Sequence, residues 1–175
     1  ANPDLSGLDV SGVTNFTGMF TGVSLPTSSY DALLIGWNAQ TLQSGLTFDG
    51  GGSTYCDGEA ARASIIATYG WTITDGGKDC TEIHLAEILE DSSSTGGGSN
   101  ANGTPITATE LAAIAGLVDV NPANEAAYQA AIGAEPDFSN PPTVAEVQLV
   151  IDSVNNNDAP LLTSNPITTE HLIAT

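Results

Sequence analysis

Five acidic side chains surround two equivalent glycine-rich turns and could supply oxygen ligands to a calcium ion. Each turn reads Asp-Gly-Gly, and the acids beside them are Asp49, Asp57, Glu59, Asp75 and Asp79. Calcium binds carboxylate oxygens together with backbone carbonyls, which glycine-rich loops expose. Neither loop follows the EF-hand spacing or a glycine-rich nonapeptide repeat. The alternative is therefore that these acids are solvated turn residues and that the chain binds no cofactor.

The only two cysteines, Cys56 and Cys80, each follow one of the two Asp-Gly-Gly turns. If the segments that carry these turns stack on each other, the two thiols come close together. A bridge between them would close a loop of about 25 residues, which the chain-entropy estimate values at about 3 kcal/mol. The alternative is a pair of buried free thiols. A disulfide would indicate an oxidising compartment.

The familiar catalytic patterns do not fit this chain. Gly77-Lys78 is not a phosphate-binding loop, because Thr72 stands where the first glycine belongs and Asp79 replaces the serine or threonine. His84 and His171 lack metal-type spacing, and both are expected on helix surfaces. No nucleophile-elbow pattern occurs, and neither cysteine has an adjacent histidine. We therefore expect a protein that is not an enzyme.

Charge is distributed unevenly along the chain. The formal net charge is −19, with 21 acids against Arg62 and Lys78. Residues 1–80 carry eight acids and both cations, whereas residues 81–175 carry thirteen acids and no lysine or arginine. Nucleic acids and anionic membranes are poor partners for such a surface, because phosphate binding depends on basic side chains. No apolar run is long enough to suggest membrane insertion. The excess of acids suits salty surroundings, in which repulsion between them is screened.

The two Asp-Gly-Gly turns belong to a larger repeat with a period of about 25 residues. Short β-prone runs precede both turns, at residues 46–48 and 71–74, and a helical pattern over residues 59–69 connects them. Asp57 can cap that helix at its start, and Gly70 can end it. Repeated strand, turn and helix segments are typical of a solenoid, in which each coil buries its apolar face on the next.

A second apolar pattern precedes this repeat. Ser28 or Ser29 can cap a helix in which Tyr30, Leu33, Leu34 and Trp37 lie on one face. The aromatic members of that stripe are expected in the core rather than on a ligand-binding platform. We assign residues 1–90 to a solenoid-like domain, including a helix over residues 81–90.

A linker rich in glycine and serine, residues 91–104, separates this domain from a helical region at residues 105–158. Thr107 with Glu110 and Thr143 with Glu146 form two capping boxes, each ahead of an apolar helical pattern. Asn121 caps the helix between them, with Pro122 at its first position. The predicted fold class is α+β, an open solenoid end followed by a three-helix bundle.

The segment at residues 8–20 reads LDVSGVTNFTGMF. It resembles one coil of the BspA-type leucine-rich repeats of bacterial and protist surface proteins, whose core reads WDVSxVTxMxxMF. Leu8 stands where that family usually has tryptophan, and Phe16 where it usually has methionine. The resemblance implies the C-terminal end of a repeat array, most of which would lie upstream.

The helical region also resembles a known module, the small helical unit repeated in tandem in very large secreted bacterial adhesins. The triplet Pro-Ile-Thr at residues 105–107 returns at residues 166–168, and Leu111 returns as Leu172. Residues 159–175 are therefore expected to be a tail or the start of a further helical module. Such a tail would dock on its own bundle or on a neighbouring copy.

Together these features favour a structural and adhesive segment of a large secreted bacterial cell-surface protein, with neighbouring copies or adjacent modules as partners. The alternative is a leucine-rich-repeat module that binds a host or cell-surface peptide or glycan. An exposed cluster of aromatic and acidic side chains on the array would favour that alternative.

Overall fold

The computed structural model describes residues 4–93, 104–134 and 138–157. These residues form six α-helices and a two-stranded parallel sheet, so the fold is mixed helix and sheet. The chain divides into two compact units, residues 1–80 and 81–175. Within the described ranges, no helix combines the length and apolar character needed to cross a membrane. Much of the expected linker, and the expected tail from residue 159, lie outside the described residues.

The first unit contains two helices and two short strands. Helix α1 spans Thr27–Asn38, strand β1 Thr47–Asp49, helix α2 Glu59–Tyr69 and strand β2 Thr72–Thr74. The strands are parallel, with Thr47 opposite Thr72 and Asp49 opposite Thr74. Helix α2 and both strands lie where the sequence predicts them. Residues 8–10 and 23–25 form no strand, although Val10 is buried.

Aromatic rings dominate the core of the first unit. The stripe on α1 is fully buried, so its predicted core position is confirmed. Phe16 lies 5.1 Å from both Trp37 and Trp71, measured between ring centroids. Phe48 on β1 lies within 5.2–6.4 Å of five other rings. Residues that are far apart in sequence thus meet around one side chain.

The second unit contains four helices. They are α3 at Thr81–Ser93, α4 at Ala108–Ala113, α5 at Glu125–Ala134 and α6 at Val144–Asn155, with a 3₁₀ turn at Pro122–Asn124 before α5. The three expected helices are α4, α5 and α6. Helix α3, which the sequence analysis assigns to the first domain, instead lies in this unit, because Ile88 packs into its core. The contacts therefore divide the chain after Cys80 rather than within residues 91–104.

The core of the second unit is mostly aliphatic. Its fully buried side chains include Leu111, Tyr128, Ile132, Val147 and Ile151. Tyr128 is the exception to the aliphatic character, and its hydroxyl donates a hydrogen bond of 2.6 Å to Asn155 at the end of α6. The predicted capping boxes form at Thr107 and Thr143, and Asn121 caps the 3₁₀ turn as expected. Local sequence signals therefore define where α4 and α6 begin.

Candidate functional site

The candidate site is the set of turns that joins the ends of β1 and β2 to the segments that follow them. Gly51 and Gly77, the last residues of the two turns, both adopt left-handed backbone angles, with φ of 64° and 85°. A Cβ atom on Gly51 would lie 2.2 Å from the carbonyl oxygens of Phe20 and Val23. Glycine is therefore required at that position by both the angle and the close approach.

The predicted disulfide is present between Cys56 and Cys80, whose Cα atoms lie 4.9 Å apart. Both cysteines are buried. The turns that precede them are also joined by backbone hydrogen bonds. Gly50 N donates to Thr74 O at 2.8 Å, Gly76 N to Ser53 O at 2.8 Å and Asp79 N to Tyr55 O at 3.0 Å. The bridge thus ties together two segments that already pair along their backbones.

A buried carboxylate from α1, Asp31, holds the backbone ahead of α2. Its oxygens accept hydrogen bonds from the backbone N–H groups of Cys56 at 2.9 Å, Asp57 at 3.1 Å and Gly58 at 2.8 Å. The prediction that Asp57 caps α2 is wrong, because Gly58 occupies the cap position and Asp31 supplies the carboxylate from elsewhere in the chain. The sequence shows that Asp31 interrupts the apolar face of α1 between Tyr30 and Leu34, but it does not show which backbone groups the carboxylate binds.

Helix α1 also begins differently from the expectation. Pro26 precedes its first turn, and neither Ser28 nor Ser29 acts as the cap. Instead Pro26 O accepts hydrogen bonds from the N–H groups of Ser29 and Tyr30, both at 3.0 Å. Proline fits here because its fixed φ leads into a helix. It lacks a backbone N–H, but an N–H at the start of a helix has no partner within the helix.

Asp49 organises the first of the two turns. Its carboxylate accepts hydrogen bonds from the Thr21 hydroxyl and from Gly51 N. The hydrogen bond from Thr21, followed by that from Gly51, lowers the pKa of this carboxyl. The carboxylate is therefore used to fix the turn and to connect it to the segment around Thr21.

Asp75, the equivalent residue of the second turn, is more deeply buried, with its side chain 2% exposed. It forms an ion pair with Arg62, whose Nε lies 2.7 Å from Oδ2, and accepts a hydrogen bond from the Tyr30 hydroxyl at 3.0 Å. Burial raises the pKa of that hydroxyl, and the negative charge of Asp75 raises it further. Arg62 thus already neutralises the most buried of the five candidate calcium ligands.

The other candidate calcium ligands are exposed and dispersed. Glu59 pairs with Lys78 at 2.6 Å, and Asp57 and Asp79 lie at the surface. Among the described residues, no three of the five predicted ligands bring their oxygens within 4.8 Å of one another. The calcium site remains a prediction, and binding there would require these side chains to rearrange.

The second unit contains a cluster that the sequence analysis did not identify. His84, expected on a surface, is only 7% exposed, and its Nδ1 lies 2.8 Å from Glu87 Oε2. Glu110 of α4 lies close enough that one ligand atom from each of the three residues falls within 4.8 Å of the others. Spacing could not reveal this cluster, because Glu110 lies beyond the linker. His171 is outside the described residues.

A groove of about 300 Å³ lies between α5 and α6. The residues that line it are Ala127, Ala130, Ala131, Ala134, Ser153, Val154 and Asn157. The Ser153 hydroxyl donates to Val150 O at 2.9 Å. This lining offers mainly a surface of small apolar side chains.

Comparison of the chain with protein-family models, with curated proteins and with solved structures found no match to any of them.

Proposed function

We propose that this chain is a non-enzymatic structural and adhesive segment of a large secreted bacterial cell-surface protein. In this proposal the first unit is the end of a leucine-rich-repeat-like solenoid. The second unit is a helical spacer module of the kind repeated in large adhesins. Its partners are neighbouring copies or adjacent modules of the same protein.

The observation that carries the proposal is the parallel stacking of successive segments in the first unit. Phe16 forms a parallel bridge with Phe48, which pairs in turn with Ile73 on β2. A further parallel bridge joins Tyr55 to Lys78 beyond the turns. Three consecutive segments therefore lie side by side in chain order, as the coils of a solenoid do.

The disulfide and the charge support a location outside the cell. A buried bridge between Cys56 and Cys80 persists in an oxidising environment, such as the exterior of a bacterium. A net charge of −19 favours a protein that stays soluble and works in salty surroundings. Both features are expected of a surface-exposed extracellular segment.

Beads coated with the chain test the adhesive role. If copies adhere to each other, coated beads should cluster in seawater-like salt, whereas beads coated with an unrelated protein of similar negative charge should stay dispersed. A chain that lacks residues 159–175 then asks whether the tail mediates the association. Coated beads that neither cluster nor bind to bacterial cells, peptides or glycans would contradict the proposal.

The alternative, a module that binds a peptide or glycan, has one observation in its favour. Leu8, Met19 and Val23 lie in or just beyond the segment that resembles a repeat coil, and each is more than 40% exposed. Exposed apolar side chains of this kind can contribute to recognition. The aromatic residues, however, are used in the core. Capture of the beads by one peptide or glycan, without clustering, would favour this alternative.

A further inference from the structure

Two potential metal ligands lie one helical turn apart on α3. Residues three positions apart on a helix share a face, and this places His84 Nδ1 2.8 Å from Glu87 Oε2. The histidine is 7% exposed, and the side chain of Glu87 is 17% exposed. A buried imidazole beside a largely buried carboxylate is a typical pair of ligands for a divalent transition metal.

The third potential ligand, Glu110, is held in place by the capping box of α4. Its Oε2 accepts hydrogen bonds from the backbone N–H and the hydroxyl of Thr107, both at 2.7 Å. Ligation through Oε1 would leave both of these hydrogen bonds intact. Carboxylate ligands that are oriented by other hydrogen bonds are common in metal sites, because less order must be imposed on binding.

The charges around this cluster favour a cation. Glu87 and Glu110 come from different helices, and residues 81–175 contain no lysine or arginine that could neutralise their charges. Two carboxylates in a low-dielectric environment repel each other. A doubly charged ion between them would remove that repulsion, and the imidazole would add a nitrogen ligand.

We propose that His84, Glu87 and Glu110 form a binding site for a divalent transition-metal ion of the zinc class. Their ligand atoms lie within 4.8 Å of one another. Zinc bonds of 2.0–2.2 Å in a tetrahedron place ligand atoms about 3.3 Å apart. The cluster therefore reaches zinc geometry by small side-chain movements, and water fills the fourth position. The mixed nitrogen and oxygen ligands select zinc over calcium, which prefers oxygen alone.

Calorimetric titration of the chelator-treated full chain with zinc at neutral pH tests this site. We expect one equivalent to bind with an affinity that a large excess of calcium leaves unchanged. His84→Ala should weaken binding at least about tenfold. His171→Ala is the matched control and should bind as the unmodified chain does.

A second variant separates ligation from folding. Glu110→Gln keeps a side chain that can complete a capping box, so its thermal unfolding should change little while zinc affinity falls at least about tenfold. Cobalt substitution should give the visible absorption of a four-coordinate site, and His84→Ala should abolish it. The proposal is overturned if no zinc binds, if both variants bind as tightly as the control, or if calcium displaces the zinc.

Discussion

The two units of this chain reach a compact state in different ways. The first unit depends on contacts between residues that are far apart in sequence, including the rings around Phe48, the bridge from Cys56 to Cys80 and the ion pair of Arg62 with Asp75. The second unit depends on local capping boxes and a mostly aliphatic core. Stacked segments are therefore held by connections between distant residues, whereas short helices are held by well-defined starts.

In both units, nevertheless, a buried aspartate on one helix binds the backbone of a later segment of the chain. In the first, buried Asp31 accepts hydrogen bonds from the N–H groups at the start of α2. In the second, buried Asp91 near the end of α3 accepts one from Ile106 N at 2.8 Å. A buried carboxylate can satisfy backbone donors that secondary structure leaves unpaired. Asp31 therefore links α1 to the segment before α2, and Asp91 links α3 to the segment before α4.

The largest effect is expected in the aromatic core of the first unit. Phe48→Ala should lower the free energy of unfolding of that unit by about 3–5 kcal/mol, because the cavity removes contacts to several segments at once. Chemical denaturation followed by tryptophan fluorescence measures this, since both tryptophans lie in the first unit. Met19→Ala, at an exposed apolar residue of the same unit, is the control and should cost little. Equal losses for the two variants would contradict the packing described above.

A comparable substitution in the second unit should act only there. Ile151→Ala removes a fully buried side chain of α6 and should cost about 2–5 kcal/mol. Far-ultraviolet circular dichroism should show the loss of helix at a lower denaturant concentration. Tryptophan fluorescence should report an unchanged transition for the first unit. A shift of both signals together would show that the units unfold as one.

The next largest effect tests the cap that the sequence analysis missed. Asp31→Ala leaves buried N–H groups before α2 without an acceptor and should cost about 2–3 kcal/mol. Asp57→Ala is the matched control, and an exposed substitution of this kind should stay within about 0.5 kcal/mol. Chemical denaturation of both variants measures the two losses in the free energy of unfolding. A larger loss from Asp57→Ala would restore the cap predicted from the sequence.

The smallest effect concerns the local cap of α6. Thr143→Ala should cost about 0.5–2 kcal/mol. Burial raises the pKa of Glu146, but hydrogen bonds from Ser139 and Thr143 outweigh it, so the pKa is lowered overall. A carboxyl with a lowered folded pKa stabilises the fold above its unfolded pKa of about 4.3. That contribution disappears as pH falls through the folded value.

As pH falls from neutral to about pH 3, Thr143→Ala should therefore lose less of its free energy of unfolding than the unmodified chain does. This range spans the ordinary carboxyl pKa. Denaturation at a series of pH values measures this difference. An unchanged acid dependence in Thr143→Ala would mean that the cap does not cause the shift.

Local signals allowed much of this structure to be predicted. The extent of α2, the end of that helix at Gly70 and both capping boxes follow from patterns within a few residues. The disulfide was predictable because its cysteines follow equivalent turns. What could not be predicted depends on distant partners, such as the cap from Asp31 and the meeting of His84 with Glu110. The prediction for α3 is wrong for the same reason, because its apolar pattern does not indicate which of the two cores it joins.

Hydrogen exchange measured by mass spectrometry, before and after reduction of the disulfide, tests whether the bridge between Cys56 and Cys80 locks the stacked segments of the first unit. Loss of the bridge should cost that unit about 3 kcal/mol. Peptides covering residues 46–80 should then exchange faster, because their opening becomes easier. Peptides covering residues 105–134 and 138–155 should keep their rates. Exchange that stays unchanged in residues 46–80, or that rises equally in both units, would show that the bridge does not lock these segments.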